Sequence, residues 1–262
     1  MDVIAPYSVQ AHNTAWDSEN KIHDDTVARR FGFTGGLVPG IDVYAYMVHA
    51  PVAQWGRAWL ERGRADCRFL KPVYDGDEAI VDAAAEGDGL ALIVRSRDET
   101  CATGTASLAA AVGSPPEFAP PPISPASRPP ADERSLAVGT LLGMRPMVLT
   151  PEYAAQYVAN VRETDPLYAQ KGIAHPGVVL RTCNWALSHN VLLGPWIHVG
   201  STVQNIGLAR IGDELTVRAR VTANYERKGH RFVELDALVL ASERPVARIA
   251  HVAIYRPRQV AA

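Results

Sequence analysis

Between residues 114 and 134 the chain carries eight prolines, in the run Ser-Pro-Pro-Glu-Phe-Ala-Pro-Pro-Pro-Ile-Ser-Pro-Ala-Ser-Arg-Pro-Pro-Ala-Asp-Glu-Arg. Proline fixes φ and removes a backbone donor, so this density forbids helix, breaks strand ladders and predicts an extended, solvated connector. A chain of 262 residues is long enough for one large domain or for two modules of ordinary size. The connector selects the second arrangement: one module over residues 1–113, a linker over 114–134 and a second module over 135–262.

The two halves repeat landmarks in the same order. Gly76-Asp77-Glu78 recurs as Gly212-Asp213-Glu214, an offset of 136 residues, and Leu37-Val38-Pro39-Gly40 is matched by Ala174-His175-Pro176-Gly177 at an offset of 137. Two matched landmarks at nearly one offset point to internal duplication. In each half a Gly/Pro-punctuated loop leads to one segment with helical spacing of apolar residues, 41–60 and then 178–193, followed by strand-like runs. These strands are predicted at 65–71, 79–84, 90–96 and 103–111, and again at 198–209, 215–224, 231–241 and 246–255. Residues 215–221 alternate Leu, Val, Ala and Val with Thr216, Arg218 and Arg220, the period of a sheet with one wet face. Strands following a single helix predict an α+β fold with an antiparallel sheet packed on that helix.

Charge excludes some functions. The formal net charge is −2, and the 26 Lys and Arg residues form no basic stripe, so nucleic acid is not an expected partner. No apolar run approaches the ~20 residues of a membrane span, and the first residues lack the pattern of a secretory signal. Cys67, Cys101 and Cys183 are odd in number and far apart, which fits a reducing compartment and makes the cytoplasm the expected location. The eight histidines show no ligand spacing, so no metal is expected.

The most informative stretch is Trp16-Asp17-Ser18-Glu19-Asn20-Lys21-Ile22-His23-Asp24-Asp25, leading through Ala28 and Gly32-Phe33 to Gly36-Leu37-Val38-Pro39-Gly40. Here the chain resembles the MaoC-like, or (R)-specific enoyl-CoA hydratase, family of hotdog proteins. The family pattern is Gly-Asp-x-Asn-Pro-Leu/Ile-His, an acidic residue, an alanine, Gly-Phe, and a loop ending in His-Gly before the central helix. Asn20, Ile22, His23, Asp25, Ala28, Gly32, Phe33 and Gly40 match in order. The resemblance implies a double hotdog, two antiparallel sheets each wrapped around a central helix. It also implies water addition or removal at the C2–C3 double bond of an acyl thioester, carried by CoA or an acyl-carrier protein, without a cofactor. His23, Asp17 and Asn20 are the implied catalytic residues, with the amide of Gly40 as oxyanion hole. The family's catalytic Asp lies five residues before its His; that position is Ser18 here, flanked by Asp17 and Glu19, and Pro39 replaces the His before Gly40.

The residue types suit this chemistry. An imidazole titrates near working pH and serves as acid or base. A glycine at the start of a helix presents free N–H groups to a developing oxyanion. In the second half, Glu163-Thr164-Asp165-Pro166-Leu167-Tyr168 aligns with the same motif, with Glu163 at the acid position and Tyr168 in place of His. Tyr168 and Gly177 are nine residues apart where His23 and Gly40 are 17 apart, so the short helix between motif and loop is expected to be nearly absent there. The first half is therefore the expected catalytic half. Two other activities stay open: a protein that only binds acyl thioesters, suggested by Ser18, and a thioesterase using Asp17, Glu19 or Glu163. Arg227, Lys228 and Arg231 read either as a solvated hairpin tip or as contacts to CoA phosphates. Tyr44, Trp185 and Trp196 read as core. A fused tandem already contains one pair of modules, so a monomer and a homodimer of tandems are both compatible with its strand edges.

Overall fold

Alternation of apolar and polar residues produces long antiparallel strands whose inner face packs on two helices. The computed structural model describes residues 4–121 and 127–259. In chain order the elements are β1 (Tyr7–Gln10), α1 (Asp25–Arg29), α2 (Gly40–Trp55), α3 (Arg57–Arg62), β2 (Gly63–Phe69), β3 (Glu78–Glu86), β4 (Gly89–Ser96) and β5 (Glu99–Leu108). The second half contributes β6 (Leu141–Gly143), β7 (Met147–Val148), α4 (Pro151–Asn160), α5 (Leu167–Lys171), α6 (Pro176–Ser188), β8 (Ile197–Asn205), β9 (Glu214–Arg227), β10 (His230–Ala241) and β11 (Arg244–Arg256).

The strand order is β1-β3-β4-β5-β2-β8-β11-β10-β9-β6, with β7 also on β9. Read outward from the β2–β8 junction the two halves are the same sequence of strands, which is the duplication expressed as topology. The expected pair of sheets is joined into one, because β2 and β8 are antiparallel neighbours from Arg64↔Gln204 to Arg68↔Gly200. Thr202 donates from Oγ1 to Asp66 Oδ2 at 2.7 Å across this seam. The sheet covers α2 and α6, which pack on each other. Ten of the first thirteen residues of α2 are apolar or aromatic and buried, including Tyr44, Tyr46 and Met47, so the helix is apolar on nearly every side, as a helix enclosed by a sheet must be.

Several expected bounds shift for local reasons. The helix predicted over 41–60 is two, α2 and α3, because Gly56 adopts φ +56 and ends the first. The short helix expected to be nearly absent in the second half is present: α5 spans five residues, as does α1. What the second half shortens is the loop after that helix: α5 ends at Lys171 and α6 begins at Pro176, whereas α1 ends at Arg29 and α2 begins at Gly40. The helix α4, which the apolar spacing did not flag, starts at Thr150, whose side chain accepts from Tyr153 N, with Pro151 at the first helical position.

Part of the proline-rich linker, 122–126, lies outside the described residues. Its described flanks pack on the protein. Phe118 is buried with Leu238 and Leu240, and Arg128 reaches Ser188 O and Glu19. Cys67, Cys101 and Cys183 are free and buried. Among the described residues no helix is long and apolar enough to cross a membrane.

Candidate functional site

The loop that carries His23 is held by the residues that make up its motif. Ile22 is buried in a small cluster with Ala28 and Leu37. Asn20 caps the single helical turn Lys21–His23 by accepting from Ile22 N, and Asp24 caps α1 by accepting from Val27 N. Asp25 Oδ1 accepts from Gly36 N at 2.7 Å, clamping the following loop onto this one. Gly36 is required by close approach, since a Cβ there would stand 2.1 Å from the His23 carbonyl oxygen.

These clamps set the imidazole. His23 Nδ1 lies 2.6 Å from Leu37 O and Nε2 lies 3.2 Å from Asn20 Nδ2. A carbonyl only accepts, so Nδ1 carries the proton of the neutral ring, and Nε2 is a lone pair that accepts from the Asn20 amide. Burial pushes the His23 pKa below its ordinary value, against the opposing effects of the bond to Leu37 and the carboxylate of Asp42. Asn20 is itself fixed from the other half of the molecule: Nδ2 donates to Trp196 O at 2.9 Å and Oδ1 accepts from Trp196 N at 3.1 Å.

His23, Asn20 and Gly40 line one cavity of about 320 Å³, together with Phe69, Trp196 and His198. Gly40, which lines the cavity, is the first residue of α2, and no side chain caps that helix end, so its amide has no intrahelical partner and lies in the partial positive charge of the helix. Asn20, His23 and Trp196 also form a wall of a second, adjoining recess of about 510 Å³, whose other side carries Arg128, Arg145 and Arg181. Arg181 is committed to the protein, paired at 3.2 Å with the fully buried Asp42, which also accepts from Thr14 and Tyr157. Arg145 is exposed at the rim.

Asp17 does not join this group. It is exposed to solvent and lines neither recess, while Ser18 turns its hydroxyl to Asn20 O at 3.3 Å. No Asp or Glu lines the 320 Å³ cavity. At the hairpin tip, Arg231 pairs with Glu133 and Glu226, which ties that residue to its own surroundings. Of the aromatic residues expected in the core, Tyr44 is fully buried, Trp196 is buried beside the cavity, and Trp185 stacks on His189.

The corresponding place in the second half is filled. The His175 ring accepts from Gly177 N at 3.1 Å, and a Cβ on Gly177 would meet the Tyr157 hydroxyl oxygen at 2.0 Å. Glu163 is buried and bonded to His49 Nδ1 at 2.8 Å, with His175 Nε2 at 3.7 Å. Burial alone would raise its carboxyl, but these histidines and the amide of Asp165 outweigh it and hold the group far below the usual carboxylate range. Tyr168, at the position of His23, is buried against His175. One helix start is open and the other is plugged by the protein's own side chains.

A duplicated strand order, one sheet around two central helices and a single open helix start define a double hotdog protein. No family model matches the sequence, and no curated protein matches it. Among solved structures it is similar to a protein from Chloroflexus aurantiacus assigned as a MaoC domain dehydratase, 10% identical, covering 98% of this chain and 94% of that one with a TM-score of 0.66. It is also similar to a conserved protein of Mycobacterium tuberculosis described as having a double hotdog fold, 14% identical, covering 97% and 96% with a TM-score of 0.63. A Novosphingobium aromaticivorans protein assigned as a thioesterase is 10% identical, covering 84% and 88% with a TM-score of 0.51. At these identities the likeness establishes the shared fold.

Sequence reading located His23, Asn20 and Gly40. It missed Asp42, Arg181 and Tyr157, and it gave no role to His198 or to the backbone of Trp196. Asp42 has a legible signal, a carboxylate inside an otherwise apolar helix. His198 has none, because a histidine opening a strand looks like any other.

Proposed function

We propose that the chain is a hydratase or dehydratase of the MaoC-like kind, adding water to or removing it from the C2–C3 bond of an acyl thioester. The observation that carries this reading is the sharing of one apolar cavity by the unprotonated Nε2 of His23, the Asn20 amide bonded to it and the uncapped start of α2 at Gly40. The thioester oxygen binds at the start of α2, where the N–H groups stabilise the negative charge that grows as the enolate forms. His23 Nε2 takes a proton from water and returns it to C2, and the Asn20 amide holds the ring in place. Arg145 borders the recess beside His23, where the phosphates of CoA or of a carrier's phosphopantetheine arm meet complementary charge. The likeness to an assigned dehydratase supports the fold on which such a site is built.

The test is turnover of 2-enoyl-CoA substrates of graded length, followed by loss of enoyl-thioester absorbance, in the wild type and in His23→Ala. Activity that falls about 10²–10⁴-fold in His23→Ala is expected. Absence of turnover at every chain length, or full activity in His23→Ala, refutes the reading. A second reading, acyl-thioester binding without turnover, is favoured by one observation: no carboxylate lines the cavity. Calorimetric affinity for acyl-CoA without hydration or release of free thiol would select it.

A further inference from the structure

The cavity contains a second imidazole that the His23 motif does not supply. His198, near the start of β8, is 6% exposed and lines the cavity with Gly40 and His23. Its Nε2 lies 2.8 Å from Ser201 Oγ and 3.2 Å from Gly200 O. Ser201 Oγ in turn lies 3.1 Å from Nδ1 of the fully buried His251. Because Gly200 O only accepts, the ring proton of His198 sits on Nε2, and the Ser201 hydroxyl donates onward to His251. Nδ1 of His198 is therefore a bare acceptor, and it has no partner in the protein. It points at the helix start: a Cβ on Gly40 would stand 3.1 Å from it.

The ring is held in this pose by its neighbours. His251 stacks on it with centroids 4.3 Å apart, and Phe69 meets it edge-on at 4.8 Å. Burial, reinforced by the adjacent His251, pushes its pKa well below the ordinary value, so it stays neutral and keeps its lone pair. Nδ1 is buried at the cavity wall against Gly40, and a buried polar atom without a partner calls for an explanation, which a donor reaching it from the cavity supplies.

We infer that His198 Nδ1 accepts a hydrogen bond from the water that adds to C3, or equally from the 3-hydroxyl that leaves in the reverse direction. The inference rests on the hydratase reading and assigns the water a place within it. In hydration the water oxygen bonds to C3 while one of its O–H bonds breaks and that proton passes to Nε2 of His23. The C2=C3 π pair moves onto C2 and the thioester oxygen, and the His23 imidazolium returns the same proton to C2. The second O–H of the water stays intact and remains bonded to His198 throughout. No group is oxidised or reduced. This gives a cavity without a carboxylate the means to hold its water.

Two substitutions separate this role from a purely structural one. His198→Gln places an amide near the Nε2 position, where it can still reach Ser201, and leaves nothing at Nδ1. His198→Asn does the reverse. The readouts are kcat and KM for crotonyl-CoA, thermal unfolding, and calorimetric affinity for 3-hydroxybutyryl-CoA against butyryl-CoA. The inference expects His198→Gln to lose about a hundredfold in kcat with KM changed less than about threefold, and to lose the preference for the hydroxylated thioester. His198→Asn is expected to stay within about tenfold of wild type. A wild type that turns over nothing, yet prefers the hydroxylated thioester in a way that His198→Gln abolishes, defeats the hydratase reading and leaves the role of His198 standing. A folded His198→Gln with wild-type kcat or wild-type hydroxyl preference, or the opposite order of the two variants, overturns the inference. If His198→Gln does not fold, His198→Phe is measured in its place against the same outcomes.

Discussion

Gly40 and Gly177 are equivalent in the duplication, and replacing each with alanine should have opposite consequences. At Gly40 the new methyl would stand 3.1 Å from His198 Nδ1 and 3.1 Å from Phe69 Cε2, so the neighbours need yield only a few tenths of an ångström. Alanine also favours the helix by up to about 1 kcal/mol over glycine, which offsets much of the roughly 1–3 kcal/mol that overpacking costs. Folding stability should therefore change little. The methyl, however, occupies the approach to the open amide. Loss of one oxyanion donor costs about 2.7–4 kcal/mol in the transition state, or roughly 10²–10³ in kcat. At Gly177 the methyl would meet the Tyr157 hydroxyl oxygen at 2.0 Å. That hydroxyl donates to the buried Asp42, so it has no free direction in which to retreat. Gly177→Ala should lose about 1–3 kcal/mol of stability while the folded fraction retains turnover within about twofold. Urea denaturation and enoyl-CoA hydration, measured on both variants, read the two effects independently. A well-folded Gly40→Ala with wild-type kcat would show that the thioester oxygen does not bind at the start of α2.

Other consequences follow from the same geometry. Asp17→Asn should leave hydration within about twofold, since the side chain faces solvent; a drop of tenfold or more would bring Asp17 back into the mechanism. Asp42→Ala strands the guanidinium of Arg181 in the interface between the two long helices and should cost about 3–5 kcal/mol, visible as a lower urea midpoint; an unchanged midpoint would mean that the pair is already solvated. Acid should destabilise the protein earlier than carboxylate titration alone requires. Burial pushes His251 down to about 3 and lowers His23 and His198 as well, so the unfolded chain takes up protons that the folded chain refuses. That stability is complete above the unfolded histidine value of about 6.5 and is lost as pH falls below it, by up to about 1.4 kcal/mol per pH unit for each group. Below about 4.3, protonation of Glu163 in the unfolded chain adds a further loss in the same direction. A urea midpoint that stays flat between pH 7 and pH 5 would contradict the neutral assignment of these histidines. Arg145→Ala should raise KM for a CoA thioester by about threefold to tenfold at low salt, with the difference shrinking as salt is added; no change in KM would place the phosphates elsewhere.

Much of this protein was legible in short windows. Strand-like runs placed all four major strands of each half, with the alternation of residues 215–221 marking β9. The matched Gly-Asp-Glu turns exposed the duplication, and the run from Asn20 to Gly40 located the loop that clamps His23. These features depend on contacts between residues near one another in the chain, whose caps, turns and periodicity leave a local trace. The site needed more than that. Asn20 is fixed by the backbone of Trp196, and His198 reaches the helix start from the other half of the chain, because β2 and β8 pair in one particular register that no local pattern specifies. The same holds for what is missing. Asp17 faces solvent, and Tyr157 closes the second helix start while its hydroxyl is bonded to Asp42, 115 residues away in the chain. Local hydrogen bonding and periodicity determined the elements and the His23 loop, whereas the convergence of side chains on a single cavity was decided by long-range contacts in the folded chain.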